Sequence, residues 1–119
     1  MQILVVDDDD AIRSLWTTLL QKTGHQAQGA SHGQEALDYL RQSQALPDII
    51  LLDLMMPVLN GWEFLKERKR LPLLASIPVV VISAAEFRSS YLAFYGVATY
   101  LQKPVAMQTL LETVAQFGV

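Results

Sequence analysis

The sequence predicts an α/β domain, a doubly wound parallel sheet with helices on both faces. Three observations carry that prediction. Short apolar runs alternate five times with stretches of helical spacing. The strongest runs show no polar alternation, which suits parallel strands covered on both sides. Charged or hydroxyl-bearing residues stand directly after the first four runs, and Lys103 stands two residues after the fifth.

Ile3-Leu4-Val5-Val6 reads as the first strand, and Asp7 ends it. Ile12, Leu15, Trp16, Leu19 and Leu20 then share one helical face. Asp9 and Asp10 suit the cap and first turn of that helix, where backbone N–H groups favour acids. Gln26 to Ala30 is a weaker run, expected at a sheet edge. Ala36, Leu37 and Leu40 mark the second helix, with Ser31 as its expected N-cap and Gln34 three residues on. Ile49-Ile50-Leu51-Leu52 is the third strand. Asn60-Gly61 opens a helix through Trp62, Phe64 and Leu65, and Pro72 marks its end. Ile77 to Ile82, broken only by Pro78, is the fourth strand. The fourth helix falls between Phe87 and Tyr95, where aromatic residues do not separate onto one side. Ala98 to Leu101 is the second edge strand, and Leu110, Leu111, Val114 and Phe117 form the last helical face before Gly118. Trp16 and Trp62 are expected to face the core.

The chain has 119 residues, the size of one domain covering residues 1–119. Folding at this length hides roughly two-thirds of the chain's surface. Hydrophobic residues at 51% against 18% charged exclude a disordered chain. A net charge of −3 speaks against a general nucleic-acid binder. The absence of cysteine excludes a disulfide framework, a thiolate metal site and a cysteine nucleophile. No apolar run approaches the ~20 residues of a membrane span, and no secretory leader pattern is present. The expectation is a cytoplasmic chain with no direct nucleic-acid or membrane partner.

Right-handed crossovers bring every strand's C-terminal end to one edge of the sheet, where ligands bind. After the first strand stand Asp7, Asp8, Asp9 and Asp10; after the third, Asp53; after the fourth, Ser83 and Ala84; after the fifth, Lys103 and Pro104. The chemistry-bearing set is Asp7, Asp8, Asp53, Ser83 and Lys103. Gathered carboxylates repel, so one stays protonated or a cation joins them. An all-oxygen set suits Mg²⁺, which takes one or two carboxylates, waters and a phosphate oxygen. The backbone carbonyl of Met55, just past Asp53, is a further candidate ligand. Lys103 can pair with Asp53 at rest and with a bound anion during reaction, and the Ser83 hydroxyl can donate to the same anion. Such a set is a phosphoryl-transfer site, in which positioning and charge neutralisation do most of the catalysis. Asp53 is the expected nucleophile, forming an aspartyl phosphate. Each residue singly has a blander reading as a loop acid, a strand end or a turn. Four matching strand ends together weigh against it.

Ile3-Leu4-Val5-Val6-Asp7-Asp8, Asp53-Leu54-Met55-Met56-Pro57 with Asn60-Gly61, Val81-Ile82-Ser83-Ala84 and Tyr100-Leu101-Gln102-Lys103-Pro104 together resemble a response-regulator receiver domain over essentially the whole chain. The resemblance implies a flavodoxin-like fold with strand order 2-1-3-4-5. It implies that Asp53 accepts phosphate from a sensor histidine kinase or a histidine phosphotransfer protein. Asp7, Asp8 and the Met55 carbonyl would organise Mg²⁺, and Ser83 and Lys103 would hold the phosphoryl oxygens. Tyr100 matches the aromatic switch position that moves with the hydroxyl residue Ser83, and the Lys103–Pro104 bond would be cis. Signalling to a downstream protein or an output domain would run through the fourth helix, fifth strand and fifth helix. Such a domain catalyses only its own phosphorylation and dephosphorylation.

Other functions fit the sequence less well. A nucleotide- or flavin-binding enzyme on this fold cradles phosphate with a glycine-rich loop after the first strand; here that loop is four aspartates. A Mg²⁺-dependent phosphatase would carry a second acid two residues past its nucleophile, where this chain has Met55, and a lid for which it has no room. A degenerate receiver that only binds partners would not need the complete acid, hydroxyl and lysine set. His25 and His32 are read as surface imidazoles with no phosphorelay role. Lys66, Arg68, Lys69 and Arg70 are read as solvated cations complementing a helix C-terminus. Among Tyr91, Leu92, Phe94 and Tyr95 some must pack on the sheet, and one left exposed would mark a partner surface.

Overall fold

All five apolar runs are strands. A computed structural model describes residues 1–54, 60–84 and 89–118. Among them the order is β1 Gln2–Val6, α1 Asp10–Lys22, β2 Gln26–Ala30, α2 Gly33–Gln42, β3 Ile49–Leu52, α3 Gly61–Arg70, α4 Pro72–Ala75, β4 Val79–Ser83, α5 Ser89–Phe94, β5 Val97–Gln102 and α6 Met107–Ala115. The strands form one parallel sheet in the order β2-β1-β3-β4-β5, with the two weak runs at its edges.

The pleat explains why the central runs are apolar throughout. Leu4 and Val6 of β1, with Ile50 and Leu52 of β3, face a core completed by α2, α3 and α5 through residues such as Leu37, Phe64 and Leu92. Ile3, Val5, Ile49 and Leu51 face the other way, against Trp16 and Leu20 of α1 and Leu110 and Val114 of α6. Successive side chains point to opposite faces, so a strand covered on both sides has no polar position. Trp16 is buried as expected. Trp62 is half-buried and packs against Tyr95, their rings 5.2 Å apart.

Four local expectations are corrected. Pro72 does not simply end the third helix. α3 stops at Arg70, and Pro72 opens α4, where its missing N–H costs nothing. The helices anticipated as fourth and fifth are therefore α5 and α6. Ser31 is not the cap of α2. His32 fills that position, its Nδ1 accepting from Glu35 N at 3.1 Å, while Glu35 reaches back to the Ser31 hydroxyl and amide. β4 begins at Val79 rather than Ile77, and β5 runs from Val97 to Gln102.

The basic cluster is the fourth correction. Lys66, Lys69 and Arg70 are exposed, but Arg68 is only 3% exposed. Its Nη2 donates to the carbonyls of Ala75 (3.0 Å) and Ile77 (2.6 Å), and its Nη1 to that of Tyr95 (3.4 Å). Arg68 thus ties α3 to α4, to the start of β4 and to the end of α5. Lys69 adds a bond to the Phe94 carbonyl at 2.8 Å and lies 4.2 Å from the Phe94 ring centre. Among the described side chains Phe94 is 65% exposed and stands outside the core, whereas Leu92 is buried; the Tyr91 side chain lies outside the described residues.

Candidate functional site

The sheet ladder continues one residue past three strands, and those residues are the chemically interesting ones. Asp7 N donates to Ala30 O of β2 (3.1 Å), Asp53 N to Val6 O of β1 (2.9 Å) and Lys103 N to Ser83 O of β4 (2.8 Å). Each functional side chain therefore leaves a backbone already held by its neighbouring strand. Gly61 supports the same edge from α3. A Cβ there would fall 2.4 Å from Leu54 Cα and 2.7 Å from Asp53 O, so only glycine lets α3 start against this loop. Its amide donates to Leu54 O at 3.0 Å, and Asn60 caps the helix through Glu63 N.

Asp7, Asp8 and Asp53 each bring a carboxylate oxygen within 4.8 Å of the others. Asp7 and Asp53 are buried and Asp8 is exposed. Lys103 lies between the buried pair, with Nζ 3.0 Å from Asp7 Oδ2 and 3.3 Å from Asp53 Oδ2. It was expected to pair with Asp53; it bridges both and sits nearer Asp7. Burial by itself would push the Lys103 ammonium down. The hydrogen bond and charge of Asp7, then those of Asp53, outweigh that and hold it above the ordinary lysine value. Asp7 Oδ1 also accepts from Asp9 N at 2.9 Å, and Asp9 caps α1 through Ala11 N and Ile12 N.

Ser83 is fully buried at the end of β4, opposite Gln102 in the ladder. Tyr100 is half-buried on β5, paired in register with Val81, and lines a cleft of about 210 Å³ with Leu92 and Ala93 of α5. The Lys103–Pro104 bond is cis. Met55, the anticipated carbonyl ligand, lies outside the described residues. His25 and His32 lie off this edge. His25 Nδ1 is 3.3 Å from the Met1 amine, and His32 is the cap of α2.

Three carboxylates against one ammonium leave a formal −2. Oxygen donors with that residual charge fit a hard divalent cation such as Mg²⁺. Two neighbours of the site were not assigned to it from the sequence. Trp16 places its ring centre 5.8 Å from Lys103 Nζ. Arg13 donates to the Asp7 carbonyl at 2.9 Å and pairs with Asp10. The three-residue spacing of Asp10 and Arg13 on α1 was the one available signal for the latter.

The family of the Response regulator receiver domain matches residues 3–115. Protein PilH of Pseudomonas aeruginosa is 32% identical over 115 residues, covering 95% of this chain and 93% of PilH. Response regulator MprA of Mycobacterium avium is 36% identical over 113 residues; that match covers 93% of this chain but only 48% of MprA. Among solved structures, the chemotaxis response regulator CheY4 of Vibrio cholerae aligns with a TM-score of 0.88 at 28% identity, covering 98% of this chain and 97% of CheY4. The N-terminal domain of a response regulator receiver protein from Methanoculleus marisnigri aligns at 0.77 with 33% identity, covering 97% of this chain and 94% of that one. A sheet ordered 2-1-3-4-5, an acidic trio beside a bridging lysine, and these matches lead to one conclusion: the chain belongs to the response regulator receiver domains of two-component systems.

Proposed function

We propose that the chain is a phosphoacceptor receiver that takes a phosphoryl group onto Asp53 from a phosphohistidine of a sensor histidine kinase or a histidine phosphotransfer protein. The observation that carries this reading is the gathering of Asp7, Asp8 and Asp53 within 4.8 Å, with Lys103 bridging the two buried acids. Asp7, Asp8 and Asp53, with the Met55 carbonyl, would hold Mg²⁺, which when bound supplies positive charge for phosphoryl oxygens. An Asp53 oxygen attacks phosphorus; the new O–P bond replaces the N–P bond, and the donor imidazole leaves. Lys103, already desolvated, turns from Asp53 toward the new anion, and the Ser83 hydroxyl donates to another phosphoryl oxygen. These groups stand fixed on strand ends before reaction, so little reorganisation is needed.

Phosphorylation adds about −1.5 to −2 charge and three acceptor oxygens. Movement of Ser83 toward them would free space for Tyr100, which borders the cleft under α5. The face of α5, β5 and α6 then shifts between two packings and changes its affinity for a downstream protein or an output domain. We place this chemistry in the cytoplasm, where the expected phosphodonors act. No described helix is long and apolar enough to cross a membrane.

The test is Mg²⁺-dependent phosphorylation by a small donor such as acetyl phosphate. Intact mass should rise by one phosphoryl group, and Asp53→Asn should abolish the gain. Incorporation that survives this substitution assigns the acceptor elsewhere.

A further inference from the structure

We infer that Arg13 is a positioning residue for the acidic pair, and that Gly29 of β2 supplies the space in which it works. The inference rests on reading Asp7, Asp8 and Asp53 as a divalent-cation site. Arg13 stands one turn into α1, its side chain 22% exposed. Its Nη1 donates to the Asp7 carbonyl at 2.9 Å, and its Nη2 holds the Asp10 carboxylate. Its stem crosses the edge strand. A Cβ on Gly29 would lie 3.1 Å from both Cγ and Cδ of Arg13, tighter than ordinary packing. Gly29 has no left-handed backbone to explain it, and glycine weakens a strand interior. What this position needs is room for the arginine stem.

The bonded carbonyl belongs to the peptide that joins Asp7 to Asp8, so its plane sets how the two carboxylates face one another. Asp7 has further anchors in Asp9 N and Lys103. Asp8 is exposed and accepts no hydrogen bond among the described residues, so its direction depends on that backbone. Mg²⁺ demands near-ideal octahedral geometry, and a loosened carboxylate is a poor ligand for it.

Two accounts of Arg13 predict opposite signs. If only its charge mattered, removing a cation beside an acidic site would tighten Mg²⁺ binding. If it positions the peptide, removal weakens binding, by roughly tenfold on the scale of outer-shell partners in metal sites. Mg²⁺ alone is titrated into the intact chain by calorimetry, with the combined fluorescence of Trp16 and Trp62 as a second signal. Arg13→Ala should weaken binding roughly tenfold. Gly29→Val should do the same by displacing the stem while the melting temperature holds or rises, since valine favours strands. In the Arg13→Ala background, Gly29→Val should have no further effect. If the unaltered chain shows no saturable Mg²⁺ binding, the metal reading falls and this inference with it. If it binds and Arg13→Ala binds equally or more tightly, the positioning role alone is overturned. Should Arg13→Ala fail to fold, unchanged affinity in Gly29→Val overturns the role by itself.

Discussion

Two cations withdrawn from water sit at different places in this molecule, Arg68 buried and Lys103 half-buried, and their partners differ in kind. Lys103, at the carboxyl edge of the sheet, lies between the two charged acids Asp7 and Asp53. Among the described residues Arg68, at the end of α3, meets only the carbonyls of Ala75, Ile77 and Tyr95, and its Nε finds no acceptor. Burial pushes the Arg68 guanidinium down from its ordinary value, yet arginine stays charged. The acids hold the Lys103 ammonium up despite burial. Carbonyls are fixed dipoles that nothing in the reaction alters, so Arg68 is a rivet. On the function proposed above, the acids around Lys103 are themselves reactive or metal-seeking, so its bonds can be exchanged. The difference separates a structural charge from a functional one more sharply than burial does.

The largest effect should come at the rivet. Arg68→Ala leaves three carbonyls without their donors and opens a void, and urea denaturation should show a loss of about 3 kcal/mol. Mg²⁺ affinity at low denaturant should stay within about twofold of the unaltered chain, since the site is tied to other strands. A variant that loses Mg²⁺ binding in proportion to stability would erase the distinction drawn above.

Next comes Gly61→Ala, whose Cβ would collide with backbone at Leu54 and Asp53. Overpacking of this kind costs about 1–3 kcal/mol. Here it should also displace Asp53, so phosphorylation should fall even where the protein remains folded. Full phosphorylation in the folded variant would show that the Asp53 loop tolerates the shift.

Lys103→Met tests the exchangeable cation. It should retain or tighten Mg²⁺ binding, because a competing charge is gone, and yet lose partner switching on phosphorylation. Its pH profile is the sharper readout. The native pair raises the lysine above its ordinary value of 10.5, so folding favours the protonated form. That contribution is complete below 10.5 and is lost as pH climbs through the higher folded value. Lys103→Met should remove this alkaline fall, and a melting-temperature series from pH 8 to about 12 would detect it. An identical alkaline limb in both proteins would mean the pair contributes nothing.

The smallest effect belongs to the exposed cation beside the rivet. Lys69 donates to Phe94 O and covers an exposed ring. Lys69→Ala should lower the melting temperature by only about 2 °C. A fall as large as that from Arg68→Ala would mean the α3–α5 joint is held from outside.

Much of the site was legible because strand-end residues have little freedom. Asp7 and Asp53 follow apolar runs directly and Lys103 follows one after Gln102, and the ladder bonds that fix their backbones are a consequence of those runs. Ser83 could be named from its hydroxyl at a strand end, but its proposed pairing with Tyr100 as a switch came only through resemblance. Arg68 was misread because a cation in the last turn of a helix ordinarily faces water. Only the added turn of α4, which turns the carbonyls of Ala75 and Ile77 toward it, makes burial tolerable. Ser31 was misassigned as a cap because Ser31 and His32 both offer acceptors; His32 takes Glu35 N, and Ser31 is held by the Glu35 side chain instead.

The sequence by itself determined the layer structure of this protein and which side chains reach the reactive edge. Hydrophobic periodicity and strand termination are local, and right-handed crossover sends every strand's C-terminal end to one edge, while the strand order was implied only by the resemblance. Tertiary structure alone decided the pairing: that Lys103 spans both acids, that Arg13 lies over Gly29, and that Arg68 turns inward. Those contacts join residues up to 96 positions apart in the case of Lys103 and Asp7. They depend on distances of a few tenths of an ångström that only close packing sets.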